Sequence, residues 1–308
     1  MPSSTNAFDT LVLLGATATG KTRLGVQLAD ALHGEIISAD SRQVYRGLDI
    51  GSGKDLDEYI LEDRCIPHHL IDCAHPAQEF NAYEFQSQAF RIRSEILARD
   101  RLPIVVGGTG LYLSVFLQDH CIPEVPLNPK LREQLARFSH EEQVAHLKNL
   151  KGPLHNTTDT QDTDRLIRAI EIEEYIKIHP PQPAPNMTPM ILGIKYPRPD
   201  LHKRIATRLK QRLDKGMIEE VQGLLESGVT PERLRDLGLE YRFVTEFIQG
   251  SIKNRNDLTQ KLLPAIKNFA KRQETWFRRI EKNGTKIHWL EKPDLSSALS
   301  AIREASSS

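Results

Sequence analysis

GATATGKT, residues 15–22, fits the spacing GxxxxGK[ST] through Gly15, Gly20, Lys21 and Thr22, and what flanks it decides the fold. Before it, TLVLL at 10–14 is a short apolar run suited to a strand covered on both faces. After it, KTRLGVQLADAL takes on helical periodicity that ends near Gly34. A strand, a glycine-bounded loop and a helix opening on Lys21 make a phosphate cradle. Successive backbone N–H groups converge, the helix N-terminus adds positive potential, Lys21 adds a full charge and Thr22 can ligate Mg²⁺. Gly15, Ala16, Thr17, Ala18, Thr19, Gly20, Lys21 and Thr22 are therefore the expected phosphate-binding residues.

The alternation continues beyond the loop. EIISAD reads as a second strand ending in Asp40, HLIDC as a short third ending near Asp72, and LPIVVGG as another at 102–108. Between the last two, Asn81 to Arg99 is an amphipathic helix with Asn81 as N-cap. Strands alternating with helices predict an α/β fold, a P-loop NTPase-like parallel sheet in three layers. From about Val125 to Ile178 only polar helical segments occur, followed by the proline-dense HPPQPAPNMTP, which reads as a linker. MILGIKY at 190–196 returns to the strand pattern. Helices between Pro199 and Glu226, a long helix over Leu262 to Ile280, a last strand KIHWL and a terminal helix complete the chain. The expected organisation is a core formed by 1–122 and 190–308, carrying an all-helical insertion at 123–189.

Composition bounds the function. The 308 residues balance at 41 Lys+Arg against 41 Asp+Glu, so net charge gives no reason to expect a polyanionic partner. Its distribution is more informative: Ile191 to Leu290 holds 21 Lys/Arg and 12 Asp/Glu, a basic surplus compatible with nucleic-acid contact. Cys65, Cys73 and Cys121 have neither zinc spacing nor a paired framework and read as reduced thiols. The N-terminus lacks a basic and apolar leader, and no run approaches a membrane span, so a cytoplasmic location is expected.

Three further stretches carry chemistry. In ISADSRQVYRGLDIG, 37–51, Asp40 falls at the C-terminal edge of a strand, where open α/β sheets bind ligands. Ser41, Arg42 and Gln43 follow at once, and an amide and a guanidinium beside a carboxylate suit a polar heterocycle with an exocyclic amine. GGTGLYL, 107–113, repeats the strand, glycine turn and helix, so the Thr109 hydroxyl faces the same edge. KNFAKRQETWFRR is a basic helix in which Lys267, Lys271, Arg272, Arg278 and Arg279 alternate with Trp276 and Phe277, offering phosphate contacts and aromatic surface to RNA. His68 and His69 are adjacent on a strand, point to opposite faces, and read as structural. No NKxD motif supports a GTPase. A small-molecule kinase stays open, with Asp40 or Asp72 holding metal and Arg165 with Arg168 as a lid.

With these residues assembled, the chain resembles the tRNA dimethylallyltransferases, also called tRNA isopentenyltransferases, along nearly its whole length. GATATGKT, IISADSRQVYRGLDIG, PHHLID, VGGTGLYL, DRLIRAIEI and AKRQETWFRR follow the order of that family's blocks. The resemblance implies transfer of a dimethylallyl group from its diphosphate to N6 of the adenosine immediately 3′ of the anticodon, with diphosphate as leaving group and no ATP hydrolysis. It implies Asp40, Thr109 and Lys21 as catalytic residues, Mg²⁺ as cofactor held by Thr22, and residues 15–22 around the diphosphate. Asp40, Ser41, Arg42, Gln43, Thr109, Asp164, Arg165, Leu166, Ile167, Arg168, Arg242, Lys271 and Arg272 are implied in gripping tRNA. The implied partners are the anticodon stem-loop and dimethylallyl diphosphate, with no membrane and a monomeric enzyme. An adenylate isopentenyltransferase acting on free nucleotide would need neither the insertion nor the basic helix, and a non-catalytic RNA-binding ATPase would bind RNA without forming product.

Three blocks depart from the family pattern. GMIEEVQGLL carries Gln222 where relatives commonly have an arginine that assists the diphosphate, so Arg212 or Lys54 is expected to substitute. The usual GTAKP is GSGKD, and the usual GYR appears as GLEYR at 238–242. No counterpart to the zinc-finger extension of eukaryotic relatives is present, pointing to the bacterial form.

Overall fold

The apolar runs around the phosphate loop fold as neighbouring strands of one sheet. In the computed structural model, which describes residues 8–152 and 162–306, the chain divides into a larger unit, 1–117 with 185–308, and a smaller one, 118–184. The larger unit begins with β1 (Thr10–Gly15), α1 (Lys21–Ala31), β2 (Gly34–Ala39), a hairpin of β3 (Ile60–Leu61) and β4 (Arg64–Cys65), β5 (His68–His69), α2 (Ala82–Leu97), β6 (Leu102–Gly107) and α3 (Gly110–Leu117). The smaller unit supplies α4 (Pro129–Leu135), α5 (His140–Lys151) and α6 (Thr163–Ile178). The larger unit then resumes with β7 (Pro189–Ile194), α7 (Arg198–Asp214), α8 (Met217–Glu226), α9 (Pro231–Asp236), α10 (Leu239–Ile248), α11 (Arg255–Lys282), β8 (His288–Leu290) and α12 (Leu295–Ser306).

The main sheet has the order β5-β2-β6-β1-β7-β8, every pair parallel. β1 is buried at every residue, as a central parallel strand with helices on both faces must be. One face packs on α1 and α12 through Leu24, Val26, Leu28, Ala298 and Ile302. A second apolar cluster, away from the strands themselves, joins α7, α8, α10 and α11 to the segment after β2 through Val44, Tyr45 and Leu48. The α2 N-terminus follows the sequence reading: Asn81 accepts from the Glu84 N–H while Glu84 returns to the Asn81 N–H, a reciprocal capping box.

Several expectations change. The third strand is confined to His68–His69, because Leu70 (φ 59°) and Asp72 (φ 53°) adopt left-handed backbone that turns the chain away from the sheet. The long helix starts at Arg255, well before Leu262, because the Asn254 side chain caps the Asn256 and Asp257 N–H groups and Pro264 is accommodated inside. His68 and His69 are structural: the His69 ring meets Glu35 at 2.7 Å, while His68 bonds the Ile66 carbonyl and packs on Tyr59.

The smaller unit has its own core of Leu135, Leu147, Leu166, Ile167 and Ile170. Beside it, the buried Glu171 carboxylate accepts from Arg132 at 2.7 and 2.8 Å, from Arg168 at 3.0 Å and from the Asn128 N–H at 2.9 Å. Its pKa falls to about 2: burial opposes the charge, and these donors outweigh it. The proline-dense stretch is partly tied down, for the Cys121 N–H donates to the Gln182 carbonyl and the Ala184 N–H to the Asp119 carbonyl.

Candidate active site

The sheet register builds the site. Ala39 of β2 pairs with Gly107 of β6, and Gly107 pairs with Leu14 of β1. The next residues, Asp40, Gly108 and Gly15, therefore leave three adjacent strands at one level, on the carboxyl edge. Asp40 and Gly108 face a cavity of about 240 Å³ whose walls include Thr17, Lys21, Thr22, Thr109, Arg208, Arg212 and Trp276. A wider cleft of about 830 Å³ shares Lys21, Thr22, Arg208 and Arg212 with it and adds Lys203, Arg204, Asp57 and Glu58. The phosphate loop thus lies between two openings.

The loop is built to leave donors free. Gly20 precedes α1 at φ 83°, a left-handed backbone glycine adopts without strain, and no side chain caps the helix. There is no acid in the first turn of α1, so the N-terminal amides and the helix dipole are available to an anion. Thr19 departs from the expected role: its hydroxyl is buried and donates to the Ala16 carbonyl at 2.8 Å, fixing the loop shape and leaving only its amide for a ligand. Arg204 donates to the Ala18 carbonyl at 2.7 Å and braces the loop from outside. Burial draws the Lys21 ammonium down to about 8, with Asp40 pulling it back up and Arg208 and Arg212 pushing it further down.

Across the cavity, the Thr109 hydroxyl accepts from the Ser41 N–H at 3.0 Å and lies 3.3 Å from the Ser41 hydroxyl. The Asp40 carboxylate accepts from the Arg42 N–H at 3.0 Å, which fixes its rotamer and leaves its second oxygen without a hydrogen bond among the described residues. Gln43, expected to meet a base edge, is instead buried with both ends engaged, accepting from Ser38 and donating to the Gly53 carbonyl. The glycines of the GGTG turn admit α11: a Cβ at Gly108 would stand 2.6 Å from Gln273 Nε2, and one at Gly110 2.4 Å from Trp276 Cβ. Phe277, next to Trp276, is buried in the core.

The cations resolve differently from the sequence expectation. Lys54 is fully buried and bonds Asp49, Asp72 and the Tyr45 carbonyl, so it ties a loop together and is withdrawn from any ligand. Gln222 is exposed and bonds Glu226, away from both openings. Arg212 does reach the cavity: Nη1 donates to the Gly51 carbonyl at 3.3 Å and stands 3.7 Å from Glu240, while buried Nε has no partner among the described residues. Burial pushes the Glu240 carboxyl up and the Arg212 guanidinium down, and each opposes the shift of the other. Arg208 bonds Asp55 at 2.7 Å at the junction of the two openings. The loop opposite is held by Glu220, which accepts from the Asp49, Ile50 and Gly51 N–H groups and from the Tyr241 hydroxyl at 2.9 Å.

Of the residues expected to grip RNA, Asp40, Ser41, Arg42, Gln43, Thr109 and Arg272 share the cavity wall, Gln43 with both ends of its amide engaged by the protein. Arg242 does not; it lies exposed over Phe243 and pairs with Glu246. Lys271 is exposed at a neighbouring groove with Arg198, His202 and Lys267. Asp164, Arg165 and Arg168 belong to the smaller unit, and the Leu166 and Ile167 side chains correct the expectation there, being buried in its core. Arg208, Glu240, Phe269 and Gln273 escaped the sequence reading. The signal for two of them was present: Phe269, Arg272, Gln273 and Trp276 recur at i, i+3, i+4 and i+7, one face of α11.

Comparison with known proteins places this site in a family. The family model described as IPP transferase matches residues 43–280, and one described as Isopentenyl transferase matches 8–68. "tRNA dimethylallyltransferase 1" of Geotalea uraniireducens is 54% identical over 91% of this chain and 92% of its own. "tRNA dimethylallyltransferase 2" of Treponema denticola is 48% identical over 94% and 98%. Among solved structures, the tRNA isopentenylpyrophosphate transferase of Bacillus halodurans superposes with a TM-score of 0.67 at 29% identity, covering 97% of this chain and 95% of that one. A eukaryotic dimethylallyltransferase acting on tRNA, at 24% identity and a TM-score of 0.76 over 96% of this chain and 77% of that one, shares the fold. With the matched model spanning most of the length and relatives near half identical end to end, the chain belongs to the IPP transferase family.

Proposed function

We propose that the protein transfers a dimethylallyl group from dimethylallyl diphosphate to N6 of the adenosine 3′-adjacent to the anticodon in tRNA, releasing diphosphate. The observation that carries this reading is the register that sets Asp40, Thr109 and the phosphate loop around one small cavity. The names and end-to-end coverage of the relatives support the same substrates.

The chemistry follows from the side chains. Adenine N6 is a weak nucleophile because its lone pair is delocalised into the ring. As the N6–C1 bond forms and the C1–O bond breaks with its electron pair, the N6 proton passes to the Asp40 carboxylate, and Thr109 orients the amine. Charge builds on the departing diphosphate, where the amides of residues 18–22 and the Lys21 ammonium meet it, the Thr17 amide being held by Gln273. Arg208 and Arg212 add positive potential from the far wall. Adenine leaves the anticodon stack to enter, and Ser41, Arg42, Arg272 and Trp276 line its path.

The donor set fits Mg²⁺. Thr22 offers a hydroxyl, Asp57 and Glu58 face the same cleft, and no three His, Cys, Asp or Glu side chains form a metal cluster among the described residues. Such a sparse set suits an ion that keeps waters and takes its remaining ligands from substrate phosphates. Bound beside Thr22, Mg²⁺ would supply positive charge to the leaving group. No helix among the described residues is long and apolar enough to cross a membrane, and we place the enzyme in the cytoplasm with its tRNA.

Incubation with dimethylallyl diphosphate, Mg²⁺ and unmodified tRNA should yield N6-alkylated adenosine and one diphosphate per product, read by mass spectrometry. Parallel arms contain AMP or ATP in place of tRNA. Product on AMP alone would make the enzyme an adenylate isopentenyltransferase, and ATP consumption without alkylation would make it a kinase or ATPase.

A further inference from the structure

One buried amide joins the two halves of the site. Gln273, on α11, accepts from the Thr17 N–H through Oε1 at 2.9 Å and donates from Nε2 to the Gly108 carbonyl at 2.7 Å. Thr17 belongs to the loop assigned to the leaving group. Gly108 immediately precedes Thr109, assigned to the amine. The side chain is 5% exposed, and its partners are 256 and 165 residues away in sequence, so the contact is set by tertiary structure and not by local geometry.

The surroundings single out this contact. Gly108 has no room for a Cβ because Gln273 Nε2 occupies that space, with the Gly15 carbonyl and Lys21 Nζ next nearest at 2.9 and 3.4 Å. The Gln273 amide, the carbonyl of the first phosphate-loop residue and the loop lysine thus all crowd the spot a Gly108 side chain would take. A main-chain donor facing a buried carbonyl oxygen, and a main-chain acceptor facing a buried amide N–H₂, match both polarities. Phe269 and Trp276, one turn to either side on α11, and the adjacent Arg272 line the cavity, while Lys271 is exposed. Helix, phosphate loop and amine-orienting turn thus meet at one side chain.

We infer that Gln273 is a positioning residue that sets the spacing between the diphosphate leaving group and the adenine amine, and transmits the seating of RNA on α11 to the phosphate loop. The inference rests on the prenyl-transfer reading. Its physical basis is that in-line displacement needs the reacting atoms at near-attack separation, and a misplacement of about 1 Å costs about 10²-fold. Gln273 touches neither substrate in this role. It acts through Thr17 and Gly108.

The test compares Gln273→Met, which keeps length but removes both hydrogen bonds, with Gln273→Glu, which keeps an acceptor for the Thr17 N–H and loses the donor to the Gly108 carbonyl. Single-turnover alkylation of an anticodon stem-loop is measured with both substrates saturating. Affinity for each substrate alone is measured by titration, and folding by thermal melting. Gln273→Met is expected to lose about 10- to 100-fold in the single-turnover rate while each separate affinity stays within about threefold. Gln273→Glu should recover part of that rate at low pH, where its carboxyl is protonated and can donate again. A single-turnover rate within about twofold of the parent would overturn the inference, as would a loss that follows the fraction of unfolded protein. An absence of product from the parent enzyme would instead defeat the prenyl-transfer reading itself.

Discussion

Replacing Asp40 by Asn separates the two tasks assigned to its carboxylate. The substitution is isosteric, and the Asn carbonyl can still accept from the Arg42 N–H, which the carboxylate does at 3.0 Å, so the loop at 40–43 should keep its shape. The first task is proton removal from N6, and a positioned base contributes about 10²–10⁴-fold, or roughly 3–5 kcal/mol of barrier. The second is electrostatic. Asp40 is the largest influence holding the Lys21 pKa up against burial, at about 8. The donor diphosphate binds the ammonium form, so kcat/KM for the donor should fall as pH rises through about 8 in the parent enzyme. Without Asp40 the Lys21 pKa drops further and that alkaline limb moves to lower pH. The assay is alkylation of an anticodon stem-loop across pH 6 to 9, varying donor concentration to separate kcat from KM. A kcat within about tenfold of the parent would remove Asp40 as the base, and an alkaline limb that stays in place would refute its coupling to Lys21.

Other substitutions probe the supports of the site. Lys54→Met removes the buried cation from two partly exposed carboxylates, Asp49 and Asp72, and leaves the Tyr45 carbonyl without its donor, so it should cost about 1–3 kcal/mol in denaturant unfolding while leaving the donor KM of the folded enzyme within about twofold. Arg208→Ala should do the opposite, raising the donor KM severalfold with little change in melting temperature. Gly110→Ala drives a methyl group against Trp276 and should cost about 1–3 kcal/mol of stability, with a larger loss of turnover than Gly223→Ala, where a Cβ meets nothing. Glu171 is held ionised down to about 2, so its stabilisation of the smaller unit is complete above the ordinary glutamate range and is lost as pH falls through about 2. Glu171→Gln should remove about 3 kcal/mol at neutral pH and flatten the acid dependence of that unit's unfolding, followed by fluorescence or hydrogen exchange.

The sheet was legible because each of its main strands is a continuous apolar run bounded by glycine or a polar turn, and because the phosphate loop fixes what precedes and follows it. Asp40 and Thr109 were legible for the same reason: both stand one or two residues beyond such a run. The error at HLIDC arose because left-handed backbone at Leu70 and Asp72 leaves no trace in hydrophobic pattern. The structural engagement of Gln43 and Lys54 has no trace in sequence, because their partners, Ser38, Gly53, Asp49 and Asp72, are set by how the loop closes. Arg208 and Glu240 come from helices far along the chain, and only tertiary packing brings them to the loop.

The central claim is that the phosphate loop holds a leaving group while the adjacent strand edge holds the amine. A crystal structure with an unreactive dimethylallyl diphosphate analogue and an unmodified anticodon stem-loop tests it most directly. The diphosphate should rest on the amides of residues 18–22 with Lys21, its C1 facing an extruded adenine whose N6 reaches Asp40 and Thr109. An adenine bound away from Asp40, or a nucleoside triphosphate displacing the prenyl diphosphate from the loop under the same conditions, would contradict the account.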